Sequence, residues 1–537
     1  MSFHFLWTQW LVLLNQLTEF IRGLLGKLQP TDRLRSPLSL TSTQWNSDKD
    51  KFLSGPIRIS RLDPAGILPY PPTEQQVEDD IQKFFLSIDK AAVCDLASRY
   101  NGGKSCRIVD QRNGSFNICF FVIFDVENVT WILRIPIHPV VNNAWAKVVS
   151  EVRTLKYIKT NTTIPCPRIY AYGKDTSLVK DMSTPFMLME FIRGQQLHTR
   201  TFLNAAESQR QNLYADLIDI FAQLRKLEFS VAGSLMPDPD NPDDESESIL
   251  GPLLSMAFNE FERKSQKPMS TSGVRSVGQF VNFHYRTLVE TFRLPAENLG
   301  RRQARMEIFA LESVLEEIHR HINLENSNNA FILAHPDLRC GNIIVDGDFH
   351  ILGVVDWEFA GTIPHQFFLP PPWIIGNDPD TLFITTGIPR DQVLHEFGAV
   401  LQSMRNTSAD VARLWPDWQC REQNSVRNTK SFLQISPLIR ILQNPPSLMD
   451  LYYTFIFPDS NGSETNRDDV VDLFFEKNPS FAEQVEIQLR NSERYTGYLR
   501  DKGLLISDEK SLEIQKFLER AKAVLQATKP KYDKETE

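Results

Sequence analysis

The sequence predicts an α+β fold in which a small, antiparallel β-rich lobe precedes a larger, mostly helical one. Three observations predict it. Apolar residues alternate with a period of two through "CRIVDQRNGSFNICFFVIFDVENVTWILRIPI", residues 106–137. From about residue 205 the spacing becomes three and four, as in "AESQRQNLYADLIDIFAQLRKLEF" and "RRQARMEIFALESVLEEIHRHINL". The 537 residues include 42% hydrophobic and 23% charged ones, which is enough apolar material for more than one core and ordinary for a soluble chain.

In chain order, residues 1–30 read as an amphipathic helix, with apolar side chains at Phe3, Leu6, Trp7, Trp10, Leu13, Leu14, Leu17, Phe20, Ile21, Leu24 and Leu25. The stretch has no basic start and no small-residue cleavage site, so it is a poor leader, and Gln9, Asn15, Glu19 and Arg22 argue against a spanning helix. Docking on the protein's own surface or on a membrane face is the expectation. Residues 31–75 are rich in Pro, Ser and Thr and read as an irregular arm. One helix is expected over 74–99. Three strands follow, turned at Gly114 and near Asn128, then a helix over "NNAWAKVVSEVRTLKYIKT" and two more strands in "PCPRIYAYGKD" and "PFMLMEFIRGQQL", which completes a β-rich lobe over 76–192. Residues 193–525 form the helical lobe, with an insertion at about 230–310 that contains the acidic loop "DPDNPDDESES", and 526–537 is a tail.

A net charge of −9 with no basic stripe excludes a nucleic-acid binder that works by counterion release. Cys94, Cys106, Cys119, Cys166, Cys340 and Cys420 have no paired spacing and read as reduced thiols, neither a disulfide frame nor a zinc site. The expected compartment is the cytoplasm, with the mitochondrion as the alternative. Asn-x-Ser/Thr triplets, as at Asn113 and Asn461, are chance matches in that setting.

The chemistry concentrates in "FILAHPDLRCGNIIVDGDFHILGVVDWEFAG", residues 331–361. Asp346-Gly347 is a hairpin corner, which brings Asn342 at the start of one strand near Asp356 at the end of the next, with Asp337 on the loop just before. Three polar side chains at the edge of an apolar ribbon cost desolvation unless something charged binds there. Asn and Asp oxygens suit a hard cation such as Mg²⁺, and a carboxylate five residues earlier suits a proton acceptor. "HPDLRCGN" fits the kinase catalytic-loop spacing, with Pro336 in place of the usual Arg.

With these residues in place, the chain resembles the aminoglycoside phosphotransferase/choline-kinase-like family, and above all its fungal members with "DWE…P…PPW", here "DWEFAGTIPHQFFLPPPW". "WILRIPI", "SEVRTLKYI", "IPCPRIYAYG" and "FMLMEFIRGQQL" fall in the order the resemblance requires, over roughly residues 95–500. It implies a protein-kinase-like two-lobed fold and transfer of the γ-phosphate of ATP to a small-molecule hydroxyl. Asp337 would accept the proton, Asn342 and Asp356 would hold Mg²⁺, His335 would brace the loop, and Arg339 would screen the transferring group. Arg134 and Glu151 would form the strand-to-helix ion pair, with Arg where kinases carry Lys. Gly114 would belong to the phosphate turn and Glu190 to Ile192 to the hinge that pairs with adenine. Glu358 divides evenly between a supporting role and plain surface, Trp373 reads as packing, and His350 and His365 as ordinary. Two other functions stay open: a protein kinase, which lacks its Ala-Pro-Glu here, and an inactive nucleotide-binding scaffold.

Overall fold

The computed structural model describes residues 70–241, 248–269, 273–325, 330–377, 389–418 and 432–505. The helix expected over 1–30, the arm up to 69, most of the acidic loop, Cys420 and the tail lie outside the described residues. The chain divides into two units, Gly55–Ser492 and a second made of Met1–Ser54 with Glu493–Glu537. The β-rich lobe expected over 76–192 lies in the first unit, as do residues 193–492 of the helical lobe expected over 193–525, the rest of which falls in the second unit.

Thr73 starts helix α1 (Glu74–Ser87) with a capping box, its hydroxyl accepting from Gln76 N at 3.2 Å while Gln76 Oε1 accepts from Thr73 N at 3.0 Å. The single helix expected over 74–99 is instead two. Asp89 caps α2 (Lys90–Tyr100) by accepting from Ala91 N and Ala92 N, and its own N–H donates to Leu178 O at 2.9 Å. A side chain able to cap, pinned by a tertiary backbone bond, interrupts an apolar rhythm that would otherwise have continued.

Strands β1 (Arg107–Asn113), β2 (Asn117–Phe124) and β3 (Val129–Pro136) form a meander, and β4 (Ile169–Val179) and β5 (Met182–Glu190) a second hairpin. The five make one antiparallel sheet in the order β1-β2-β3-β5-β4. Helix α3 (Ala144–Asn161) connects β3 to β4. One face of the sheet packs Ile118, Phe120, Val122 and Phe124 against Phe84, Val93 and Leu96 of α1 and α2. The other packs Met187 and Met189 against Val148 and Val152 of α3. β5 is thus covered on both faces, which is why it reads as a continuous apolar run rather than an alternation.

In the second lobe β6 (Gln195–Gln196) and helix α4 (Glu207–Arg225) come first, then β7 (Glu228–Phe229). The expected insertion is a hairpin, β8 (Ser234–Pro237) with β9 (Ser248–Gly251), and two helices, α5 (Met256–Ser265) and α6 (Val277–Arg293). Helix α7 (Arg301–His321) leads to β10 (Phe331–Ala334), the hairpin β11 (Ile343–Val345) and β12 (Ile351–Val354), and β13 (Gly361–Pro364). These short strands form two small sheets, β13-β10-β7 and β12-β11-β6. Leu217, Ile218, Leu333, Ile343, Val345, Val354 and Trp357 share the core beneath them, so the loops between β10 and β11 and after β12 rise from a fixed base.

Candidate active site

The hairpin turn forms as expected: Asp346 Oδ1 accepts from Asp348 N and His350 N, both at 2.9 Å. Its outer ends carry the polar set. Val355, at the end of the returning chain, donates its N–H to Asn342 O at 3.0 Å, and its carbonyl meets His335 Nε2 at 3.0 Å. His335 Nδ1 in turn accepts from Asp337 N at 3.2 Å, and Asn342 Nδ2 donates to Asp337 O at 2.8 Å. Those bonds fix the tautomer: Nε2 carries the hydrogen. Burial holds His335 below the usual histidine range, which keeps the ring neutral and the bond pattern intact. One residue, Val355, therefore ties the histidine and the asparagine together beside Asp356. Trp373 steadies the loop from beneath, its Nε1 donating to Leu338 O at 2.9 Å.

Asp356 has a φ of 68°, a left-handed conformation that a non-glycine residue adopts at a cost of about 1–3 kcal/mol and that clusters at working sites. Trp357 locks the bend: it is 1% exposed and its Nε1 donates to Val354 O at 3.0 Å. The Asp356 side chain is reached by Arg134 from the first lobe, Nη2 to Oδ1 at 2.6 Å. Burial alone would raise this carboxyl; Arg134 and Lys147 outweigh it, so Asp356 sits below the ordinary range and is ionised.

Arg134 also binds Glu151 on α3, Nη1 to Oε1 at 2.5 Å, and reaches Glu358 at 3.3 Å. The planar guanidinium fork thus spans three carboxylates. Burial pushes Glu151 up to about 7, against the downward pull of Arg134 and Lys147. Glu358 is not surface: it is buried, accepts from Asn117 Nδ2 at 2.6 Å and pairs with Lys147. Lys147 is itself buried and donates to Asn117 Oδ1 at 2.8 Å. Lys147 and Asn117 are the members of this site that sequence reasoning missed. A Lys four positions before Glu151 on a helix looks like a solvated pair, and nothing local announces a buried partner.

Gly114 lies in the turn between β1 and β2, its N–H bonded to Asn117 O at 2.9 Å. Phe116, in the same turn, meets Phe359 edge-on at 5.0 Å, so the turn is fastened to the chain just after Asp356. Glu190 ends β5 with its N–H donated to Arg168 O at 2.9 Å and its carboxylate accepting from Arg168 N at 3.1 Å. Ile192 lies over Gly353 so closely that a Cβ there would stand 2.3 Å from Ile192 Cδ1. Arg339 Nε is 3.2 Å from Asp337 Oδ2, with the arginine more than half exposed, a weak pair free to turn toward an anion. His335, Asp337, Asn342 and Asp356 thus converge, with Arg134 and Glu151 beside them. Gly114 sits at one border of this set, while Glu190 and Ile192 sit at the strand edge behind it.

Among the described residues no group of three or more His, Cys, Asp or Glu side chains could hold a metal by itself. The donor set fits Mg²⁺ all the same, because that ion commonly takes one or two protein oxygens and completes its shell with phosphate and water. Asn342 is oriented through Nδ2, which leaves Oδ1 as its donor, and Asp356 is ionised.

Sheet, connecting helix and mostly helical second lobe make an α+β fold. Residues 119–367 match the model of the phosphotransferase enzyme family, a little under half of the chain. A subtelomeric hrmA-associated cluster protein of Aspergillus fumigatus is 23% identical over 298 residues, 47% of this chain and 57% of that protein, so the match spans little more than half of the relative's length. The altered inheritance of mitochondria protein 9 of Meyerozyma guilliermondii is 28% identical over 194 residues, 36% of this chain and 29% of its own. Among solved structures, a Plasmodium vivax ethanolamine kinase is 14% identical, covers 78% of this chain and 98% of its own, with a TM-score of 0.38. The GDP complex of an aminoglycoside 2'-phosphotransferase-IIIa is 11% identical, covers 76% and 99%, and has the same TM-score of 0.38. Likenesses of this depth leave the activity to be argued from the site.

Proposed function

We propose that the chain transfers the γ-phosphoryl group of ATP to a hydroxyl of a small molecule. The observation that carries this reading is the bonded set in which Val355 ties His335 to Asn342, with Asp337 and Asp356 at its two ends. Phosphoryl transfer asks an enzyme mainly to position groups and neutralise charge, and this set does both. The Asp337 carboxylate takes the proton of the acceptor hydroxyl as its oxygen bonds to phosphorus and the bond to ADP breaks. Asn342 and Asp356 would hold Mg²⁺, which neutralises charge on the phosphates. His335 keeps the Asp337 backbone in place, Arg339 screens the moving group, Arg134 on Glu151 faces the phosphates, and the Gly114 turn covers them. The hinge stretch from Glu190 to Ile192 supplies the adenine-facing backbone.

A second reading, a nucleotide-binding scaffold without turnover, is favoured by one contact: Arg134 already occupies Oδ1 of Asp356. Thermal shift with ATP, GTP and Mg²⁺, then ATP-consumption assays over amino alcohols and sugars, separates the two. A phosphotransferase is stabilised by MgATP, and Asp337→Ala loses turnover by about 10²-fold or more while still binding it. Turnover that survives Asp337→Ala sinks the assignment of the base, and absence of any nucleotide effect sinks the reading. Among the described residues no helix is long and apolar enough to cross a membrane. We place the protein in the cytoplasm, with the mitochondrion as the alternative that one relative's name supports.

A further inference from the structure

We propose that the hairpin β8–β9 and helix α5 are an internal brace that sets the position of α3, with Asn259 as its positioning residue. α3 meets the sheet through Val148, Val152, Met187 and Met189, contacts that are apolar and therefore non-directional. Something else must fix its rotation and its height, because Glu151 and Lys147 have to meet Arg134 and Glu358 at hydrogen-bond distance.

The directional contacts are at the start of the helix and come from the insertion. Asn259 Oδ1 accepts from Asn142 N at 2.9 Å, and Asn259 Nδ2 donates to Val140 O at 2.8 Å. One turn further along α5, Glu262 accepts from Asn142 Nδ2 at 2.8 Å. Asn259 is 7% exposed, and both ends of its amide are spent on backbone groups immediately before α3. Helix α5 is itself anchored by Ser255, whose hydroxyl caps it through Phe258 N at 3.2 Å.

The same insertion grips the other half of the charged site. β8 packs along α3. Ser234 Oγ on β8 donates to Ala360 O at 3.1 Å and accepts from Leu254 N at 3.0 Å. Gly233 and Thr362 exchange bonds, N to Oγ1 at 2.9 Å and Thr362 N to Gly233 O at 2.8 Å. A Cβ on Gly361 would stand 2.7 Å from Leu253 Cδ1, so the chain after Glu358 is seated against the hairpin without spare room. The three carboxylates around Arg134 come from α3 and from residues 356–358. The brace holds both, and so presets the Arg134 pairs from within one chain.

The consequence for nucleotide binding rests on the phosphotransferase reading; the structural half does not, and the experiment keeps them apart. Amide hydrogen exchange is followed in wild type, Asn259→Ala and Asn142→Ala, and MgATP affinity is measured in parallel. Asn259→Ala is expected to speed exchange over 140–151 and to weaken MgATP roughly tenfold, the size of one or two net hydrogen bonds. Asn142→Ala, an exposed site that removes only the contact to Glu262, gives a smaller change in the same direction. In a Glu151→Gln background, Asn259→Ala has a smaller further effect on MgATP than in the wild type, because part of its route to the nucleotide runs through that residue. Additive losses, or unchanged exchange in α3 of both alanine variants, overturn the brace. A wild type that ignores MgATP overturns the function instead, and the exchange arm still decides the brace.

Discussion

Lys147 is the residue on which the buried charges balance. Its ammonium is shared by Asn117 and Glu358, all three of them buried away from bulk solvent. Lys147→Met strips Glu358 of its nearest cation and is expected to cost about 1.5–3 kcal/mol, the worth of a hydrogen bond between charged groups, because Arg134 and Asn117 still reach that carboxylate. Denaturant unfolding checks this as a lower midpoint at unchanged slope. Adding Glu358→Gln is expected to recover part of the loss, because the carboxylate charge goes with it. Asp337, Asn342 and Asp356 were legible in the sequence because their spacing is contiguous and the Asp346-Gly347 corner says how the chain turns back. Lys147, Asn117 and the burial of Glu358 were not, since they are joined across 241 residues and no local pattern records such a pairing.

At the scale of elements, the returning strand β12 works as a floor. Gly353 leaves room for Ile192 from the segment joining the lobes, and Cα alone fits beneath that side chain. Gly353→Ala is therefore expected to push Ile192 off its seat and to weaken ATP binding several-fold, with Ile192→Ala restoring it; titration of the three variants checks both statements. The five strands of the first lobe and the helices α3, α4 and α7 could be read from periodicity because each buries a face of constant phase. The break at Asp89 could not: the apolar period runs through it, and the bond from its N–H to Leu178 O exists only once β4 is in place. Helices α5 and α6 were hidden for a similar reason, their faces being set by partners such as Val140 and Phe367 that lie far away in the chain.

The molecule as a whole carries a weakness toward acid. His284 is buried between Phe258 and Phe280, its Nδ1 donates to Leu442 O at 3.2 Å, and burial pulls it down to about 4. A depressed histidine adds stability above its unfolded value near 6.5 and loses it as pH falls through the folded value. Stability is thus expected to drop by on the order of 3 kcal/mol between about pH 6.5 and 4 from this group alone. His335, lowered for the same reason, adds to the fall. Urea unfolding at pH 7, 6, 5 and 4 reads the slope, and His284→Gln, which keeps a donor for Leu442 O without titrating there, is expected to flatten it. A slope unchanged by that substitution assigns the weakness elsewhere. Around Arg134, meanwhile, Asp356, Glu151 and Glu358 are met, among the described residues, by that arginine and Lys147. Counted as formal charges, three carboxylates against two cations leave the cluster one positive charge short of electroneutrality. A polyphosphate arriving alone would deepen that deficit, and one arriving with its own counter-cation would erase it.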